Sequence, residues 1–380
     1  MVDRAVNAEL ESVILEDPLD PAGWLVYGDW LAEQGDPRGE LVAVQARLAR
    51  DPGNPELMEA QRAFFRAHGD WLLDGLHPYL TPRTHADGEV LPSLLRLSWE
   101  FGFLWTASVS PRGRTMSEVV FGLRALLRHP SSRFLHALSI ATPSGDGWAP
   151  VLEELLEDRR PRPLRILYLG DSAVTAQGNP RPAFGPIGDV AALWSVFPHL
   201  EVVALRGGHV SVGALDLPRL RELTIETSAL QRETLIALGA RPRPHLERLE
   251  LWFGERRCTA TLADLGPVLE AAHFPRLRHL GLRNCSFVDR ICHALVHARI
   301  AKQLHVLDLS LGALTDMGAA ALVDARHALA NLAVLDLSWN YIDREWRAPL
   351  SELAGFVDLS NHTYLSDGEV TPRPRVWLDT

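Results

Sequence analysis

His293 and His297 stand one helical turn apart beside Cys292, a spacing that lets two imidazoles share a metal ion. No third ligand is fixed nearby, and the glutamate of a metalloprotease is missing between them, so a solvated helix face accounts for the pair. The other spacings that announce chemistry are absent too. There is no phosphate-cradling G-x-x-x-x-G-K-[ST] loop, no dinucleotide-binding G-x-G-x-x-G and no nucleophile elbow G-x-S-x-G. Cys258, Cys285 and Cys292 form no C-x-x-C and are too few for a disulfide framework. The start of the chain has no apolar leader and no long apolar run follows, so a reducing cytoplasm is the expected compartment. No catalytic residue, metal or cofactor is expected. What remains are side chains suited to gripping another molecule: Trp252 and Phe253 flanked by Arg206 and Arg283, and Asp308, Asp336 and Asp358 recurring in the word D-L-S.

These residues are positioned by a repeat. LRHLGLRNC, LHVLDLSLG and LAVLDLSWN place leucines at L-x-x-L-x-L, starting at Leu277, Leu304 and Leu332, which are 27 and 28 residues apart. A unit of that size cannot bury its apolar face alone, so neighbours must stack into a solenoid. The frame extends back through Leu246, Leu220, Leu200, Leu164, Leu135 and Leu104 and forward to Val357 and Leu359, which gives ten strands. Helical segments are expected between them at Leu123–Leu127, Val151–Leu156, Ile187–Trp194, Leu262–Ala272 and Thr315–Leu322, where Thr315 is a good N-cap. Spacing is irregular in the middle, with 36 residues from Leu164 to Leu200 and 20 from Leu200 to Leu220. The excess falls in a Gly- and Pro-bearing loop over 171–187.

Residues 1–90 have a different pattern. Short helices are expected around Ala8–Leu15, Trp24–Leu31, Leu41–Leu48 and Leu57–Leu72, separated by Asp17-Pro18, Gly35-Asp36-Pro37 and Asp51-Pro52-Gly53. Leu25–Gln45 (LVYGDWLAEQGDPRGELVAVQ) resembles the bacterial repeat-companion domain, matching at Asp29, Trp30, Leu31, Glu33, Gly35, Asp36, Arg38, Gly39, Glu40 and Gln45, with Gly28 where alanine is usual. That resemblance implies a module standing beside repeats, and Trp99–Phe103 is similar to the lead-in segment of such proteins. The roughly 28-residue units, with SLGALTDMGAAAL and LDLSWNYI, resemble the ribonuclease-inhibitor-like class of leucine-rich repeats. The expected fold is therefore an α/β solenoid: a leucine-rich-repeat horseshoe with a parallel concave sheet, outer helices and a C-terminal cap over 91–380, preceded by a small all-α module.

Period-two alternation turns the residues between the leucines onto the concave sheet. The candidate partner-binding residues are Tyr168, Arg206, Glu226, Glu250, Trp252, Phe253, Arg283, Asp308, Asp336, Trp339 and Asp358. Asn284, Asn340 and Asn361 are expected to satisfy backbone groups where the chain leaves the sheet. A net charge of −10 and a pI near 5.8 argue against nucleic acid or an anionic membrane. The function expected is non-enzymatic binding of a protein or peptide, one bearing a basic patch to meet the aspartates. A second reading makes the chain an adaptor, the helical module docking a shared machine while the repeats select clients. A third is regulation of a GTPase or another enzyme, as in leucine-rich GTPase activators. None of Cys258-Thr, Cys285-Ser or Cys292-His begins the C-x-D nucleophile of bacterial leucine-rich ubiquitin ligases. Packing of the helical aromatics against the first repeat would make residues 1–90 a cap. Exposure of Trp24 and Tyr27 would favour the adaptor.

Overall fold

A computed structural model describes residues 5–84, 90–143, 147–158, 160, 162–170, 185–254 and 257–362. Most of the loop expected over 171–187 and the C-terminal cap beyond residue 362 lie outside the described residues.

The chain divides into two compact units, the first holding residues up to Pro143 together with Pro150–Leu167, the second the remainder. In the first, helices α1 (Ala8–Glu16), α2 (Pro21–Glu33), α3 (Arg38–Arg50) and α4 (Pro55–Leu72) start where their caps dictate. The Asn7, Asp20 and Asn54 side chains accept from N–H groups of the first turn, and Pro21 and Pro55 occupy positions where no N–H is missed. α2 and α3 approach backbone to backbone. A β-carbon on Gly39 would stand 2.6 Å from the Gly28 carbonyl oxygen, and one on Gly28 would stand 2.7 Å from Val42. The departure from alanine at Gly28 is thus matched by its neighbour.

Strands β1 (Leu95–Glu100) and β2 (Phe103–Val109) form an antiparallel hairpin turned by Phe101 and Gly102, both at positive φ. Trp99–Phe103 is the tip of this hairpin. Trp24 and Tyr27 are fully buried against it: Trp24 stacks on Phe101 at 5.0 Å and meets Phe134 edge-on at 4.8 Å, while Tyr27 packs on Phe103 at 5.8 Å. The signature residues of α3 serve the same junction. Gln45 accepts from the Gly102 N–H (2.9 Å) and donates to the Trp99 carbonyl (3.2 Å). Buried Arg38 pairs with Asp36 and lies over the rings of Phe103 (4.7 Å) and Trp71 (5.6 Å). The ion pair at this turn therefore runs between Asp36 and Arg38, while Asp29 and Glu40 are exposed. No break between cores falls at residue 90. Parallel strand β3 (Ala137–Ile140) continues from β2, and β4 (Ile166–Leu169) contains the division between the units.

The second unit stacks β5 (Val202–Arg206), β6 (Glu222–Glu226), β7 (Arg248–Gly254), β8 (His279–Cys285), β9 (Val306–Asp308), β10 (Val334–Asp336) and β11 (Phe356–Asp358), all parallel. Register advances one repeat at a time: Leu249 pairs with Leu280, Leu280 with Leu307, and Leu307 with Leu335. Strands β2 to β11 are the ten that the leucine frame marks, and β1 is an antiparallel addition to it. The frame leucines are buried together with the inner faces of helices such as Val288–Leu295 and Asp316–Asp324. One expected helix is largely missing and another is broken into two short pieces. Ile187–Trp194 holds a two-residue strand at Gly188–Asp189, the positive φ of Gly188 being incompatible with a right-handed helix, and only Leu193–Val196 makes a helical turn. Leu262–Ala272 splits into Ala263–Leu265 and Gly266–Leu269 around Gly266-Pro267. Arg232–Gly239 is helical without having been marked.

Asn340 shows how the chain leaves the sheet. Its side chain is fully buried, donates to the Leu309 (3.0 Å) and Leu337 (2.8 Å) carbonyls and accepts from the Leu314 N–H (3.0 Å). It ties two adjacent repeats together, as expected of a residue that satisfies backbone groups.

Candidate functional site

Side chains alternating with the frame leucines of β5 to β11 form an open face of the sheet, and strand register sorts them into columns. The first column runs Glu222, Arg248, His279, Val306, Val334, Phe356, and the second Thr224, Glu250, Gly281, Asp308, Asp336, Asp358. The third pairs Arg206 with Glu226 and Trp252 with Arg283, then continues by alternation into Ser310, Ser338 and Ser360. Next to it lies the turn position, Asn284, Leu311, Trp339 and Asn361, at φ of 52°, 61°, 59° and 58°.

The middle of the face is a charge network. Glu250, buried, accepts from Arg248 (2.8 Å), from the Trp252 indole N–H (3.0 Å) and from Arg283 (3.1 Å). Gly281 leaves it room, since a β-carbon there would lie 2.9 Å from the Glu250 side chain. Arg283 lies over the Trp252 ring at 4.3 Å, reaches Asp308 at 3.3 Å and donates to the Ser310 hydroxyl at 3.0 Å. Trp252 is only 4% exposed and packs with Leu311 and Trp339. Toward β5, Arg206 and Glu226 close a separate pair at 2.9 Å. Tyr168 is 42% exposed.

Environment sets the protonation of these acids in opposite directions. Burial pushes Glu250 up, but the Trp252 N–H, the Arg283 charge and the bond from Arg248 outweigh it and hold the carboxyl below its ordinary value. At Asp308 burial prevails, with Asp336 adding to it against Arg283 and Ser310, so that carboxyl lies above its ordinary value. Burial also raises Glu226 despite Arg206. Burial and the Arg248 charge lower His279 to about 4, leaving it neutral beside this network at neutral pH. A depressed acid contributes stability that is present above its unfolded value and lost as pH falls through the folded one. Arg283→Met is therefore expected to destabilise the second unit by about 2–3 kcal/mol at neutral pH. The difference should shrink as pH falls through the carboxylate range, in urea titrations at pH 7 and pH 4. A gap that does not change with pH would contradict the role given to Arg283.

The aspartate ladder is present in register. Asp308 faces Asp336 and Asp336 faces Asp358, with neighbouring strands about 4.8 Å apart. Each carboxylate also accepts from the N–H two residues on: Ser310 (2.9 Å), Ser338 (2.9 Å) and Ser360 (2.8 Å). Among the described residues only the first has a cation within ion-pair distance, Arg283. Among the described residues no basic side chain pairs with Asp336 or Asp358.

Several expectations change. Phe253 is fully buried and packs edge-on against Phe287 at 5.3 Å, because the β7 turn residue at positive φ is Gly254 and Phe253 turns inward; it is core, not contact. Trp252, Glu250 and Arg283 bind one another rather than standing ready as separate anchors. Sequence reading missed Leu311, whose repeat position matches Trp339, and the whole first column, including Phe356 at 61% exposure. Alternation from each second leucine backward would have found that column. Cys285 and Cys292 are buried thiols, and burial pushes both up. Among the described residues no group of three or more His, Cys, Asp or Glu is arranged to hold a metal, and no helix is long and apolar enough to cross a membrane.

In-register parallel strands, frame leucines and one helical return per regular repeat define the class: the chain is an α/β solenoid of leucine-rich-repeat type. No protein-family model and no curated protein matches it. A solved structure of a protein from Bacteroides fragilis, 18% identical, shares the fold with a TM-score of 0.56 over 81% of this chain and 85% of that one. Weaker likenesses are a yeast Rad7–Elc1 complex (15% identity, TM-score 0.37, 72% of this chain and 73% of that one) and an internalin from Listeria monocytogenes (12%, 0.34, 78% and 90%).

Proposed function

We propose that the chain is a non-enzymatic binding module that receives a protein or peptide on the open face of β7 to β11. One observation carries this reading. At the turn position where two repeats use asparagine, which tolerates positive φ, Leu311 and Trp339 adopt it with bulky side chains. Such a conformation costs about 1–3 kcal/mol. Here it brings apolar groups together with Trp252 on the open side of the sheet rather than in the leucine core. Strain that the core does not need is accounted for by a surface that binds. The reducing cytoplasm inferred from the sequence suits two buried free thiols.

The helical module is read as an N-terminal cap, since its largest aromatics are committed to the β1–β2 hairpin. The adaptor reading keeps one support, the exposed Val13, Leu19 and Val26 on and between α1 and α2. The regulator reading is weakened because Arg206 and Arg283 are both engaged within the sheet.

The test is affinity capture from the native host with the wild-type chain and with Trp339→Ala/Asp336→Arg. The variant is expected to lose at least about 90% of the specific partner, the loss that follows from truncating a hot-spot aromatic and reversing a neighbouring charge. Undiminished recovery by a variant that melts like the wild type would overturn the reading.

A further inference from the structure

In the first unit, α1 rests on α2 at Gly23, where a β-carbon would stand 3.6 Å from Val13 and 3.7 Å from Ile14. Ile14 turns into the core. Val13 does not, and Val26, one turn beyond Gly23 on α2, faces outward as well; both are more than half exposed. Leu19, in the connection between the helices, is exposed further still. Half-buried Trp30, stacked on Tyr27 at 5.7 Å, prolongs the apolar strip by another turn of α2. The strip therefore runs along a helix–helix seam in which Gly23 places no side chain.

Its surroundings are acidic throughout. Glu9 and Glu16 on α1, Asp29 and Glu33 on α2, and Asp17 and Asp20 between them are all exposed. No Lys, Arg or His occurs from Ala5 to Pro37, and Arg4, outside the described residues, would offset only one charge of six. Asp17 and Asp20 have local work, accepting from the Leu19 and Ala22 N–H groups. Glu16, Asp29 and Glu33 serve their helices badly. Glu16 and Glu33 end α1 and α2, where the macrodipole disfavours an anion, and Asp29 and Glu33 are like charges one turn apart. Carboxylates that cost helix stability and ring an exposed apolar strip match a cationic partner with an apolar face.

We infer that the α1–α2 face docks a basic amphipathic helix of a partner protein. The site shares no residue with the open sheet face, so it stands or falls independently of the reading given to that face. The partner's apolar stripe lies on Val13, Leu19 and Val26, and its flanking arginines or lysines reach the carboxylates on either side. Two helices offer no strand edge for an extended peptide to join, which leaves helix-in-groove docking as the available mode. The thirteen residues of α2 span about 20 Å, so a partner helix of about four turns covers the face. A second copy of the chain is a poor occupant, because an isologous contact would set six carboxylates against six. An anionic membrane is repelled for the same reason.

The experiment follows fluorescence anisotropy of a fluorescein-labelled helical peptide, Ala-Arg-Leu-Arg-Ala-Leu-Leu-Ala-Arg-Leu-Arg-Ala-Leu-Leu, titrated with the full chain. Its leucines form one stripe flanked by arginines on both sides. A control with the same residues reordered, so that leucines are spread around the helix, has equal charge and equal apolar content. The control is expected to bind at least about tenfold more weakly. Glu16→Gln/Asp29→Asn/Glu33→Gln should weaken the striped peptide at least about tenfold at low salt, and high salt should erase most of that difference. Val13→Gln/Val26→Gln should weaken it about fivefold or more. Both variants alter only exposed side chains away from the helix caps and are expected to melt like the wild type. No binding of the striped peptide, equal binding of the control, or binding unchanged in either variant would overturn the inference.

Discussion

Trp24→Ala is expected to destabilise the first unit by about 3–5 kcal/mol, the range for truncating a fully buried aromatic. The indole stacks on Phe101, touches Phe103, Trp105 and Phe134, and donates its N–H to the Pro18 carbonyl at 2.9 Å. Its removal empties the centre of the cluster shared by α2 and the hairpin. Urea unfolding followed by circular dichroism should show an early transition belonging to the first unit. A loss below about 1 kcal/mol, the scale of a surface substitution, would mean that the helices and hairpin do not depend on each other.

Asp36→Ala should cost a similar amount by a different route. It strips Arg38 of its partner, and breaking a buried ion pair from one side costs about 3–5 kcal/mol because the remaining charge is uncompensated. It also removes the oxygen that accepts from the Arg38 N–H at 3.0 Å at the start of α3. The double change Asp36→Ala/Arg38→Met removes the stranded charge and is expected to recover part of the loss. A double variant no more stable than the single one would show that the charge, lying over Phe103 and Trp71, was not the source of the penalty.

Both predictions concern residues in or next to the Leu25–Gln45 signature, and they show what the sequence revealed and what it hid. The four helices and the ten-strand leucine frame were legible because they follow from local periodicity and from the Pro and Gly breaks between segments. That Asp36 rather than Asp29 or Glu40 would pair with Arg38 was not, since all three lie within a few residues and only the packing of α2 on α3 at Gly28 and Gly39 decides. The open face was half legible. Register placed Asp308, Asp336 and Asp358 in one column as the repeat implied. Phe253 misled because β7 takes its left-handed residue one position later, at Gly254. A one-residue shift of this kind moves a side chain from surface to core without leaving a mark in the leucine pattern. Leu311 hid for the opposite reason: a leucine in a leucine repeat reads as core until its backbone conformation shows that it joins the open face.

The central claim is that the partner sits on the open face of β7 to β11 rather than on the helices behind it. Hydrogen–deuterium exchange of the chain alone and with its captured partner tests this most directly. Added protection is predicted in peptides spanning 306–311, 334–339 and 356–361, with Val288–Leu295 and Asp316–Asp324 unchanged. Protection confined to those helices, or to α1 and α2, would contradict it.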